Sequence, residues 1–282
     1  MNHNIIKSTC NFHLAGIIPV SGHEISTTSD SVIHPCLRPL SENLLAIERS
    51  VLELNYAGCE TIWIVCNYDV QPLIKSRVGN STTSLESLAR AKFSSYEKRE
   101  KLKSIPIFYV AIPPTQLDKR DSLGWSILHG ANQSFLTCTK ISKWILPNKY
   151  YVSFPYGVCD PKCASGIGRQ LRSEGNIFFE SHSGQSISTS DMLSFTFSPV
   201  DFKRIRGEIK KSCSGSLVKP YWSSRNYTLD KFFNYGIIDN IVNIEAGEYH
   251  PCLTWTQYKK FLASPLSSTM EHYNLQKLAS IK

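Results

Sequence analysis

Ala15-Gly16-Ile17-Ile18-Pro19-Val20-Ser21-Gly22, followed by Pro35-Cys36-Leu37-Arg38-Pro39-Leu40 and then by residues 44–67, decides how this chain folds. Residues 17–20 form a short apolar run between glycines, the pattern of a strand buried on both faces. Leu44, Ile47, Val51 and Leu54 then recur at helical spacing, and Gly58 stands where a left-handed residue ends a helix. Thr61-Ile62-Trp63-Ile64-Val65-Cys66 is a second buried strand. Strand, helix and strand in this order predict a right-handed βαβ unit with parallel strands.

The unit recurs downstream, with a strand at Ile107-Phe108-Tyr109-Val110-Ala111-Ile112, a helix around residues 125–138 and a strand at Tyr150-Tyr151-Val152-Ser153-Phe154. Residues 81–103 are charged and weakly periodic and suggest a surface helix or an excursion. The predicted architecture is therefore a doubly wound α/β domain with a mostly parallel sheet. Its ligand crevice belongs at the carboxyl ends of the strands, in the loops after Val20, Cys66, Ile112 and Phe154.

The second half reads differently. Ile177-Phe178-Phe179-Glu180 and Ser186-Ile187-Ser188 flank a turn at residues 182–185, which suggests a hairpin, and Leu193, Phe195 and Phe197 alternate as in a half-exposed strand. Ser198-Pro199-Val200-Asp201 opens a helix with Phe202, Ile205 and Ile209 on one face and Lys203, Arg204, Arg206, Lys210 and Lys211 on the other. That basic face is an ordinary solvated surface or a polyanion contact. A short helix is expected over residues 229–235, and another from Thr254 with Trp255, Tyr258 and Leu262 inward. Leu275, Leu278 and Ile281 suggest a terminal amphipathic turn. The expected organisation is one domain over residues 1–265 and a helical tail over 266–282.

At 282 residues and 41% hydrophobic content the chain can bury a full core. No run of 18 uncharged apolar residues occurs, and the polar start lacks the order of a signal peptide, so a cytoplasmic protein is expected. The cysteines, at positions 10, 36, 59, 66, 138, 159, 163, 213 and 252, form no CxxC pair, and only Cys159 and Cys163 lie close enough to suggest a thiolate site. They read as reduced, buried thiols in a reducing compartment. A net charge of +8 suits anionic partners without choosing among them.

Residues 17–22 resemble the opening of the sugar-1-phosphate nucleotidyltransferases, such as the UTP-glucose-1-phosphate uridylyltransferases, whose first strand ends in I-P-V-A-G-x-G-T-R. Leu123-Gly124-Trp125-Ser126-Ile127-Leu128-His129-Gly130-Ala131 resembles the family's L-G-T-A-x-A-x-x-x-A, and residues 254–262 resemble its D-I-x-T-W-x-x-Y segment. The resemblance implies a Rossmann-like GT-A fold. It also implies a sugar phosphate attacking the α-phosphate of a nucleoside triphosphate, with Mg²⁺ held by two carboxylates. Nucleic acid and membrane are not expected as partners. By position in the family's motifs, Val20, Ser21 and Gly22 lie at the triphosphate, Gly124, Trp125 and Ser126 near the base, and Asp160 at the metal. The family's phosphate-binding lysine falls on Cys36 if Pro35 is the matching proline or on Arg38 if Pro39 is, and Arg38 is favoured because a guanidinium can bind phosphate.

The chain departs from the family at several of these places. His23-Glu24-Ile25-Ser26 stands where G-T-R is expected, so a glycine and an arginine are missing. Tyr156 takes the place of the first metal aspartate, which leaves Asp160, and the second acidic position reads His250-Pro251-Cys252 with Glu248 as the nearest acid. Asp160 before proline also suits a plain turn. Asp69, the Glu248–His250 pair, Lys119 and Arg120 are further candidates with equally good surface explanations, and Trp125 either stacks on a base or fills the pocket. A catalytically inactive descendant, reused for binding or assembly, is the alternative; the Lys-, Asn- and Ile-containing composition and degenerate motifs suit a small viral or AT-rich genome.

Overall fold

The computed structural model describes residues 12–22, 33–93, 102–116, 122–141, 146–173, 175–184, 191–214, 229, 232–233 and 241–279. In chain order the strands and helices of its first half are β1 (Leu14–Pro19), β2 (Pro39–Ser41), β3 (Leu44–Leu45), α1 (Ala46–Tyr56), β4 (Thr61–Asn67), α2 (Gln71–Val78), β5 (Ser81–Thr83), α3 (Leu85–Phe93), β6 (Ser104–Ile112) and α4 (Leu123–Ile141). The second half contributes β7 (Lys149–Val152), β8 (Gly157–Val158), α5 (Gly168–Leu171), β9 (Asn176–Ser181), β10 (Phe195–Phe197), α6 (Pro199–Ser214), β11 (Ile241–Gly247), β12 (His250–Pro251), α7 (Trp255–Leu262), α8 (Pro265–Met270) and α9 (Leu275–Ala279). No described helix is long and apolar enough to cross a membrane.

Eight strands form one sheet in the order β11-β9-β10-β7-β1-β4-β6-β5. β7, β1, β4 and β6 are parallel neighbours, and β10 and β5 run against them. The expected mostly parallel α/β sheet is what the chain builds. Because β1 pairs with β4 on one side and β7 on the other, the strand order reverses at β1, and the carboxyl end of β1 is the switch point where such sheets form a crevice.

Two close contacts show how the layers stack. A Cβ on Gly16 would lie 2.6 Å from Leu54 of α1, whereas a Cβ on Gly130 of α4 would lie 3.0 Å from Ile17 and Val65. Gly16 and Ile17 are consecutive in β1 and face opposite sides, so α1 covers one face of the sheet and α4 the other. The missing side chains let both helices approach.

The structure revises several local expectations. Helix α1 begins at Ala46, because Leu44 and Leu45 pair with β2 and the Leu45 N–H donates to Glu48 Oε2 at 2.7 Å, a side-chain cap that holds the helix start. The excursion over residues 81–103 contains β5 and α3. Leu193, Phe195 and Phe197 are all buried, as is Thr196, because β10 is inserted between β9 and β7 and neither face meets water. Residues 177–180 belong to β9, which pairs with β10 and β11; residues 186–188 lie outside the described residues.

In α7 the inward residues are Tyr258 and Phe261, while Trp255 and Leu262 are exposed. The capping box between Thr254 and Gln257 fixes the helix phase that turns them so. Of the helix expected over residues 229–235, Leu229 and Phe232 are described and buried and Phe233 is half-buried against the core, and the rest lies outside the described residues, as do Ile281 and the side chains of Ile209, Lys210 and Leu278. Residues 265–279 pack back onto the body: Ser41 Oγ donates to Met270 O at 3.2 Å, and Tyr273 packs edge-on against Tyr56.

Between α1 and the turn after β7 lies a charged network that no sequence pattern announced. Arg49 Nη1 donates to Glu53 Oε2 at 2.8 Å, and its Nη2 donates to Phe154 O at 2.7 Å. Glu53 also accepts from Tyr151 Oη and Ser153 Oγ, each at 2.7 Å. Burial alone would pull the Arg49 guanidinium down, but Glu53, together with Cys159 and Cys163, outweighs that and holds it above its ordinary value. Hydrogen bonds around a buried ion pair offset its desolvation, and here those made by both Arg49 Nη atoms and by Glu53 bolt the turn after β7 onto α1.

Candidate functional site

The chain leaves β1 still attached to β4: the N–H groups of Val20 and Ser21 both donate to Val65 O, at 2.8 and 3.2 Å. Ser21 Oγ then donates to Asn67 Oδ1 at the end of β4, and Ser126 Oγ donates to Ser21 O at 2.8 Å. Tyr156 Oη, from the turn after β7, reaches Val20 O at 2.6 Å. Three strand ends and the first turn of α4 thus meet at Val20-Ser21-Gly22. A Cβ on Gly22 would stand 3.1 Å from the backbone nitrogen of Leu123, so only glycine lets the loop approach α4 this closely without displacing it.

Of the residues expected near a base, Gly124 and Ser126 are buried in the first turn of α4. Ser122 caps that turn, its Oγ accepting from Trp125 N at 3.2 Å and its carbonyl from Ser126 N at 2.9 Å. The Trp125 ring lies nearly parallel to His129 at a centroid separation of 6.5 Å. The structure therefore brings Val20, Ser21, Gly22, Gly124, Trp125 and Ser126 into one neighbourhood.

Arg38 is almost completely buried, at 3% exposure. Its Nη1 donates to the carbonyls of Cys252, Leu253 and Thr254 at 2.6, 3.0 and 3.3 Å, and the guanidinium lies over the Tyr258 ring at 5.7 Å. Burial pulls its pKa down, with Cys252 and Tyr258 opposing. One edge of the guanidinium thus ties the loop before β2 to the start of α7. The other edge, Nε and Nη2, is buried with no hydrogen-bond partner among the described residues, which leaves it able to take an anion.

Beside it stands His34, whose Nδ1 lies 3.0 Å from Cys36 Sγ and whose ring lies 6.4 Å from that of Tyr156. Desolvation lowers the His34 pKa to about 4, with Asp69 pulling the other way and Arg38 adding to the depression. The imidazole is neutral at pH 7. Burial pushes the Cys36 thiol up, so it stays protonated and unreactive. His34 carried no recognisable motif; only the fold sets it between Arg38 and Asp69.

Asp160 occupies a different environment. Its Oδ1 caps the turn at Pro161–Ala164 by accepting from Lys162 N at 2.9 Å, and it also accepts from Tyr273 Oη at 2.5 Å. Tyr273 packs against Tyr56, the last residue of α1, whereas Ala46, the first, donates its N–H to Arg38 O. Arg38 and Asp160 are thus anchored towards opposite ends of a helix about 15 Å long.

The remaining described candidates are engaged locally, and of them Asp69 lies close enough to act on His34. Asp69 Oδ1 accepts from Val70 N at 3.0 Å, and Glu248 pairs with His250 at 2.8 Å on the surface. On α6, Arg204 pairs with Asp201 and Lys211 with Glu208. Residues 23–26, Lys119 and Arg120 lie outside the described residues. Mg²⁺ wants several hard oxygen ligands near octahedral geometry. Among the described residues no group of three or more His, Cys, Asp or Glu side chains could hold a metal ion, so the described donor set does not fit the ion that the resemblance implies.

No family model matches the chain, and no curated protein matches it. Solved structures do match it in fold. One is a protein from Bacillus anthracis assigned as a glucose-1-phosphate thymidylyltransferase, in complex with sucrose, at a TM-score of 0.55 and 11% identity over 93% of this chain and 96% of that one. Another is a UDP-glucose pyrophosphorylase complexed with UDP-glucose, at a TM-score of 0.52 and 15% identity over 93% of this chain and 99% of that one. At such identities the likeness establishes the nucleotidyltransferase, GT-A-like fold.

Proposed function

We propose that the crevice at the carboxyl ends of β1 and β4 binds a nucleotide or nucleotide sugar, and that the protein is a nucleotidyltransferase-like binder whose transfer chemistry has been reduced or lost. The observation that carries this reading is the convergence of Val20-Ser21-Gly22, Asn67 and Ser126 on the first turn of α4, at the strand reversal where doubly wound sheets take ligands. The free edge of Arg38 supplies a cationic group for a phosphate, and Gly124 to Ser126 supply the wall for a base. A sugar phosphate is the matching second partner. Seven free cysteines among the described residues suit a reducing compartment such as the cytoplasm.

The position of Asp160 favours binding over transfer. Nucleotidyl transfer needs charge neutralised at the reacting phosphorus, and Asp160 is engaged by Lys162 and Tyr273 instead. No step of the proposed function runs through Mg²⁺. Calorimetry with UTP, CTP, ATP and dTTP, each with Mg²⁺, followed by a pyrophosphate-release assay with sugar 1-phosphates, tests the proposal. Binding without release is the expected result. Release would restore full transferase activity, and no binding of any nucleotide would remove both readings.

A further inference from the structure

At the opposite edge of the sheet from the crevice lies a cavity of about 550 Å³, within the size range of small-molecule sites. Its walls include Leu14 at the start of β1, Glu60 just before β4 and Ile105 near the start of β6, so it sits at the amino ends of these strands. β1 alone spans about 20 Å, and none of Val20, Ser21, Gly22, Arg38 or Ser126 lines the cavity.

The cavity combines an aromatic and aliphatic wall with a cationic rim. Phe12 and Tyr56 stand beside Leu14 and Leu171. Arg169 and Arg172, three residues apart, both line the cavity, are exposed, and engage no carboxylate among the described residues. The acids present are already matched: Glu60 pairs with Lys103 at 3.1 Å and Glu86 with Arg90 at 2.5 Å. The loop Ser165-Gly166-Ile167-Gly168 borders the same space. A Cβ at Gly166 or Gly168 would meet nothing within 4 Å, and the N–H groups of Gly166 and Ile167 donate to no backbone acceptor among the described residues.

We propose that this cavity is a second ligand site, separate from the crevice, for a phosphate monoester that carries a flat ring, namely a mononucleotide. Two guanidinium groups that engage no carboxylate among the described residues, beside loop amides, suit a phosphate. The volume greatly exceeds what an inorganic anion fills, and the Phe12 and Tyr56 side gives a ring a surface to cover.

Calorimetric titration of the full chain with UMP and AMP, with inorganic phosphate as control, tests the assignment. Because Arg169, Arg172 and Ala89 are exposed, the variants Arg169→Glu with Arg172→Glu, and separately Ala89→Trp, which fills the cavity from α3, should keep the native melting transition. Each is expected to weaken mononucleotide binding by about tenfold or more, the loss of charge-assisted hydrogen bonds or of space, while triphosphate binding at the crevice is unchanged. The proposal is overturned if the wild-type chain binds neither mononucleotide, if both variants bind them as the wild type does, or if inorganic phosphate binds as tightly as the nucleotides.

Discussion

Arg49 and Glu53 form an ion pair of 2.8 Å with essentially no exposure, one turn apart on α1, and through Ser153, Phe154 and Tyr151 it holds the turn that follows β7. Removing one partner leaves the other charged and dry. Glu53→Leu or Arg49→Leu should each cost about 3–5 kcal/mol, and the double replacement by apolar residues should cost less than the sum of the two. Urea unfolding of the three variants measures this; additive losses would show that the pair is not a unit.

The glycines make a graded series. At Gly157 a Cβ would lie 2.5 Å from the Tyr249 ring and 2.8 Å from Met192 O, a backbone atom that cannot rotate aside. At Gly16 the 2.6 Å contact is with the tip of the Leu54 side chain, which can. Gly157→Ala should therefore destabilise by more than Gly16→Ala, with Gly157→Ala at or beyond the ~1–3 kcal/mol usual for overpacking. Thermal melts of the two variants suffice, and a reversed order would refute the packing.

Arg38 is expected to act twice, as an anchor through Nη1 and as an anion contact through Nε and Nη2. Arg38→Met removes both. Unfolding free energy should fall by about 1–3 kcal/mol, the cost of leaving buried carbonyls unpaired. Nucleotide affinity measured on the folded fraction should also fall, by about tenfold. A loss of stability with affinity intact would leave Arg38 as an anchor alone.

His34 predicts an acid limb. Its folded pKa of about 4 lies below its ordinary 6.5, so the fold favours the neutral ring. The unfolded chain then binds more protons between those values, and stability falls as the pH is lowered from about 6.5 to about 4. The contribution lost is at most about 3 kcal/mol. His34→Asn should flatten that part of the stability curve, and an unchanged slope would show that other groups dominate it.

Much of the fold was legible because its cues are local. The apolar run at 17–20, the spacing of Ile47, Val51 and Leu54, and Gly58 at φ +78° each act within a few residues. The candidate site was legible in part for the same reason, since Val20 to Gly22 and Gly124 to Ser126 lie at element ends where loops meet. His34 was missed because nothing within its own segment distinguishes it. The inner face of α7 was misjudged because its phase depends on a capping box, which the apolar positions alone do not reveal.

The sequence by itself determined the βαβ opening and the parallel core, since hydrophobic periodicity and chain handedness act at short range. Tertiary structure alone decided what the polar side chains do. Arg38 meets carbonyls more than 210 positions away, Asp160 meets Tyr273 across 113, and Arg49 meets Phe154 across 105. A buried charge takes whichever partner the packed core presents to it, because leaving it unpaired costs more than any local preference can supply.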